Sequence, residues 1–256
     1  MTPRAKARAG LVLLAPLMMA QSKPVLVPDV SQRDIEIAYS FTGAELLLFG
    51  AILYPGGRVP NEANADIVVV VKGPVEPILV REKQKVLGIW VNAARMKYLS
   101  APSFYAIASS RPMSQIVDER TRAIYELGLD SLQLSPANNS ATAEQQRFVR
   151  GLVDLKRRAK LYYEAPGAVE ITDQVLYRAR VSIPARVPVG RFTAETFLIR
   201  DGRVLAAAVR GIDIRKSGFE RYVARAADRN SFIYGMVAVA LSVLLGWAAG
   251  SIARRI

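Results

Sequence analysis

From Asn230 to Ala253 the chain carries no charged residue; it reads NSFIYGMVAVALSVLLGWAAGSIA. A stretch this apolar constrains the fold more than any other segment. Its backbone must satisfy its own hydrogen bonds, and a helix does that within one segment. At about 1.5 Å of rise per residue, such a helix reaches the roughly 30 Å of a hydrocarbon core. The expectation is a transmembrane helix over 231–253, a juxtamembrane helix over 215–230 before it and a cytoplasmic tail at 254–256.

The other end carries a second address. Arg4, Lys6 and Arg8 precede a short apolar run from Gly10 to Ala20 that contains Pro16. A basic start followed by a short apolar region reads as a secretory signal peptide over 1–21. It is either cut near Ala20-Gln21 or kept as a signal anchor. Both readings carry the following domain across the membrane. The charges beside the C-terminal helix argue the other way: Arg215, Lys216, Arg221, Arg225 and Arg229 precede it, and only Arg254 and Arg255 follow. The signal is the stronger guide, because large domains translocate largely regardless of charge. The bulk of the chain is therefore expected in the periplasm, anchored by one pass in the inner (plasma) membrane with the C-terminus in the cytoplasm.

Composition narrows the chemistry. The chain has no cysteine and no histidine. Disulfides and thiolate chemistry are excluded, and so are the usual general base and the commonest metal ligand. No GxSxG, Gly-rich phosphate loop, HExxH or CxxC is present. The acids Glu36, Asp118-Glu119 and Asp130 are scattered and read as surface residues. No enzyme, metal or cofactor is expected. The net charge is +13 at pH 7. In a tethered, exported domain this fits anionic lipid or an acidic partner better than nucleic acid, and a merely basic, soluble surface better than either.

Between the two ends the pattern is mainly that of strands. Asp34 to Phe41 alternates, with Ile35, Ile37, Tyr39 and Phe41 on one face. Leu46–Tyr54 and Ile67–Val71 are near-continuous apolar runs, as in central strands. Ile78–Arg81 and Val86–Val91 read as hairpin arms around Glu82–Lys85, with Trp90 as a core aromatic. Ser103–Ala108 is a further strand. Val175 to Ile183 alternates again, and Phe192–Arg200 and Arg203–Ile214 flank Asp201-Gly202, the strongest short hairpin signal. Two helices interrupt the strands, Ser114–Leu127 and one capped by Thr142 with Gln145 three residues on. The fold class expected is mainly β: an Ig-like β-sandwich over 22–214, as one sandwich or two, with a helical insertion at about 114–163.

Two surfaces stand out as candidate sites. Ala238, Ser242, Gly246 and Gly250 fall four residues apart on one face of the C-terminal helix, and Gly246 to Gly250 is a GxxxG. Small residues let helix backbones approach closely, so this face could pack on a second copy or on another membrane protein. Arg221, Arg225 and Arg229 recur on the preceding segment, where they could meet lipid phosphates or simply stay solvated.

A series of segments adds a resemblance. It runs Phe41-Thr42-Gly43, Leu48-Phe49-Gly50-Ala51, Gly88-Ile89-Trp90-Val91-Asn92 and Ala101-Pro102-Ser103-Phe104-Tyr105. It continues with Ile183-Pro184 through Val189-Gly190, then Tyr234-Gly235 and Gly246-Trp247. In this order the chain resembles the alphaproteobacterial family of single-pass transmembrane proteins of unknown function. The resemblance implies a signal, an envelope domain and a C-terminal anchor, and brings no catalytic residues. It also implies a neighbour, a polytopic exporter of sulfite or sulfonates. The function expected is a membrane-anchored interaction or accessory protein, a subunit beside such a transporter. The alternative is a periplasmic anion- or ligand-binding module.

Overall fold

The apolar run Ile67–Val71 is the key to the architecture, because it is buried on both faces. It lies in β4, Asp66–Lys72. Ile67, Val69 and Val71 enter one core, while Val68 and Val70 enter a second on the other side. A strand covered on both faces needs no polar face, hence the unbroken valines. The computed structural model describes residues 23–37, 42–59, 64–137, 141–216, 223 and 227–253. The expected signal at 1–21 lies outside the described residues.

Three sheets form. The first has four strands in the order β1 (Val25–Val30), β3 (Gly43–Leu53), β11 (Leu176–Pro184), β10 (Val169–Thr172). The second has six, in the order β2 (Asp34–Ile37), β13 (Arg203–Lys216), β12 (Gly190–Arg200), β4, β7 (Tyr105–Ser109), β9 (Tyr162–Pro166). Their inner faces enclose the main core, to which Leu46, Leu48, Ile52, Val181, Ile183 and Phe192 contribute. The first strand pairs with the first sheet and the next with the last strand of the second, in parallel. This strand order is that of an immunoglobulin-type sandwich. The alternation expected in β11 is present: Tyr177, Ala179, Val181 and Ile183 are buried, and Arg178, Arg180 and Ser182 face out.

The helical segment packs on the outer face of the six-stranded sheet. It divides at Val117-Asp118 into α1 (Met113–Ile116) and α2 (Glu119–Tyr125). The single helix expected over Ser114–Leu127 breaks because Asp118 accepts the Thr121 N–H at 2.9 Å and so caps a new start. The third helix, α3 (Thr142–Arg158), has Ala141 rather than Thr142 at its N-cap. These helices connect β7 to β9, which pair in parallel and need such a crossover.

The third sheet is a long hairpin, β5 (Val75–Val86) and β6 (Ile89–Pro102), with the two-residue β8 (Ser135–Pro136) at its base. Val80, Met96 and Tyr98 pack there on Phe148 and Leu152 of α3. The turn lies at Leu87-Gly88, with φ of 49° and 86°, and not at Glu82–Lys85. Trp90 is not a core residue; it is 66% exposed.

The expected transmembrane helix needs correction. A C-terminal helix, α4, spans Ser231–Ala253. Among the described residues, however, no helix is long and apolar enough to cross a membrane. The juxtamembrane segment at 215–230 lies largely outside the described residues.

Candidate functional site

The uncharged sequence of α4 forms one continuous helix because it lacks proline and every breaker but isolated glycines. Every side chain from Ser231 to Trp247 is exposed. Nothing in the sandwich covers them, so this helix is the largest unpartnered apolar surface among the described residues. A helix that is apolar all round is normally covered by something.

Its small-residue face has definite geometry. The Ser242 Oγ donates to the Ala238 carbonyl at 2.9 Å, which ties the hydroxyl back to its own helix. A Cβ added at Gly246 or Gly250 would meet nothing within 4 Å. The fold of the chain itself therefore does not require glycine at either position. Tyr234 and Trp247 lie toward opposite ends of the exposed run, both with their rings outward. Of the basic set, Arg229 is helical and exposed. Arg221 and Arg225 lie outside the described residues, so the three are not brought together here.

Several charges of the domain are held in ion pairs or hydrogen bonds, whereas the Nε and Nη2 of half-buried Arg200 have no hydrogen-bond partner among the described residues. Asp66 is buried and accepts from Ser110 Oγ at 2.7 Å and Arg111 Nε at 2.9 Å. Lys72 reaches Glu126 at 2.8 Å and Glu195 at 3.5 Å. Lys156 on α3 reaches Glu76 at 3.1 Å and holds the helix to the base of the long hairpin. The Glu164 carboxylate accepts the Leu129 N–H at 2.7 Å. Asp118 is held below the usual carboxylate range by its side-chain and backbone bonds to Thr121. Among the described residues no group of carboxylates could hold a metal ion.

A cleft of about 540 Å³ lies beside the start of β3 and the end of β11. Arg158, Lys160 and Arg186 line it, as does Glu45. This is the place that best suits the anion-binding alternative, although Arg158 already pairs with Asp154 at 2.7 Å.

Three tyrosines, Tyr105 and Tyr162 buried and Tyr163 half-buried, carry the clearest titration behaviour. The Tyr105 hydroxyl donates to the Glu126 carbonyl at 2.6 Å, and the Tyr162 hydroxyl to the Pro102 carbonyl at 2.5 Å. Burial pushes both phenols up, and nearby carboxylates add to the effect. Burial likewise pushes Tyr163 up to about 12, against the opposing Ser182 N–H. A phenol whose folded value is raised stabilises the fold below its unfolded value of 10.0 and loses that contribution as pH rises through the folded one. Stability is therefore expected to hold from pH 8 to about 10 and to fall between about 10 and 12. Alkaline denaturation followed by tyrosinate absorbance should show ionisation and unfolding together.

The sequence reading missed one exposed feature, the hairpin tip at Val86–Val91. Its signal was Leu87-Gly88, a two-residue connection between alternating runs, obscured because leucine is a poor turn former.

No curated protein matches the chain. Among solved structures, the crystal structure of Spo0M, a sporulation control protein from Bacillus subtilis, is similar at 10% identity and a TM-score of 0.29. The likeness covers 81% of this chain and 56% of that one, so the chain spans little more than half the length of that protein. A family profile described as "Putative transmembrane protein (Alph_Pro_TM)" matches residues 25–255. That match takes in the sandwich, the long hairpin and α4 together, and the chain belongs to this family.

Proposed function

We propose that the protein is a membrane-associated accessory protein of the cell envelope that acts by interaction and not by catalysis. One observation carries the reading: the uncharged α4 stands outside a fully packed sandwich with all its described side chains from 231 to 247 exposed. An apolar surface of that size calls for a lipid or protein cover. The family description supports a membrane setting. The partner in this reading is a second copy or another membrane protein, with a polytopic transporter as the candidate. The sandwich faces the periplasm.

The test is on the full chain. It should float with lipid vesicles and co-purify with a partner from native membranes. Gly246→Leu with Gly250→Leu should abolish co-purification while leaving the circular dichroism unchanged, since neither Cβ would touch the chain. An intact complex in the double variant would reject the packing face. A chain that never floats would reject membrane association through α4.

A further inference from the structure

The tip of the β5–β6 hairpin breaks the local rules of its own turn. Leu87 and Gly88 both have positive φ, 49° and 86°, the geometry of a type I′ turn. That geometry favours Asn, Asp or Gly at the first position. The Asp201-Gly202 hairpin of this same chain obeys the preference, with φ of 50° and 74°. At the tip a leucine takes the place instead, and it is 99% exposed. A branched apolar side chain held there in left-handed conformation does nothing for the fold.

The surroundings extend the anomaly. Val86 pairs with Ile89, and Lys85 with Trp90. Val86, Ile89, Trp90 and Val91 are all exposed. The last buried pair on the hairpin is Val80 with Met96, so the tip projects roughly 20 Å beyond it at about 3.3 Å per residue. A two-stranded ribbon of that length is marginal in water by itself.

Charge identifies the cover. Lys83, Lys85, Arg81 and Arg95 alternate onto the face of the ribbon that carries Trp90, with Lys97 behind them. Among the described residues none of these five is in an ion pair. The nearby Glu82 is taken by Arg147 at 3.1 Å, and the sequence has no further acid until Asp118. An apolar tip, an amphipathic aromatic and a collar of unpaired cations form the order in which a bilayer interface is layered: acyl chains, carbonyl level, phosphates.

We infer that this hairpin inserts its tip into the surface of an anionic lipid bilayer. Leu87 and Ile89 enter the acyl boundary, Trp90 sits at headgroup level, and Lys83 and Lys85 meet lipid phosphates. The contact is separate from α4.

The chain has two tryptophans, Trp90 and Trp247. A full-length Trp247→Phe variant therefore reports on Trp90 alone. Mixed with vesicles containing phosphatidylglycerol, its emission should shift to shorter wavelength and be quenched by brominated lipid. With phosphatidylcholine alone both signals should be lost. Each lysine near an anionic surface contributes roughly fivefold in partition, so K83Q/K85Q should weaken the response roughly 25-fold. L87N should weaken it too, with circular dichroism unchanged in both. Trp90 emission that stays water-like with anionic vesicles overturns the inference, whether or not the chain floats. A chain that floats with Trp90 still in water keeps the α4 reading and loses this one. A chain that binds only anionic vesicles, through Trp90, does the reverse.

Discussion

Phe104→Ala is expected to lower the unfolding free energy by about 3–5 kcal/mol, the largest effect of any single truncation in the sandwich. Phe104 is fully buried where the base of the long hairpin returns to the six-stranded sheet. Its ring lies 5.9 Å from Phe192 and 6.1 Å, edge-on, from Tyr163. Its carbonyl accepts the Gly73 N–H at 2.8 Å, which ties the end of β4 to the start of β7. Truncation would leave a void lined by two aromatic rings from different strands and the tight backbone at Gly73, none of which can collapse freely. For a domain of this size the midpoint of thermal unfolding should fall by roughly 8–15 °C. A scan showing a fall of only a degree or two would mean that the site closes, and that the aromatic cluster is less constrained than its geometry implies.

Gly50→Ala should also destabilise the sandwich, for the opposite reason. Gly50 lies in the middle of β3, opposite Pro28 on one side and Tyr177 on the other. A Cβ there would stand 2.4 Å from the Val27 carbonyl oxygen and 2.6 Å from the Tyr177 hydroxyl. The tyrosine could swing aside, but the carbonyl belongs to the paired backbone of β1 and cannot yield without unpairing. One methyl group is thus expected to cost about 1–3 kcal/mol by overpacking, and to expose β1 first. Hydrogen exchange should show the amides of Val25–Val30 losing protection before those of β4. Uniform loss across both strands would contradict this local origin.

Sequence pattern revealed the elements whose side chains alternate against one core. β11 was legible because Tyr177, Ala179, Val181 and Ile183 are separated by Arg178, Arg180 and Ser182. β4 was legible because burial on both faces leaves no room for a polar residue. The β12–β13 hairpin was legible because Asp201-Gly202 suits its turn. Short strands were not: β9 and β10 bracket Gly167, and their few residues show no clear period. The break at Asp118 was misread, since an acid that opens a helix and an acid inside its first turn look alike. Trp90 was misplaced because alternation of apolar residues has the same form whether the face is buried or bare.

The candidate surfaces divided in the same way. α4 was plain in the sequence from its lack of charge, though its expected passage through a membrane was not supported among the described residues. The hairpin tip became visible only when the register put Leu87 at the turn, free of any neighbour.

The parallel pair of β2 with β13 has a consequence for the life of the chain before it is folded. Asp34 aligns with Asp213 and Ile37 with Lys216, and the Arg210 side chain donates to the Pro28 carbonyl at 2.8 Å. The second strand to be made waits for the last. Such distant pairing slows folding, because the whole intervening loop must be ordered before any contact is gained. While the ribosome is still adding residues short of 213, the six-stranded sheet has an open edge and the sandwich cannot close. An unfinished chain of this kind leaves a strand edge of that sheet unpaired.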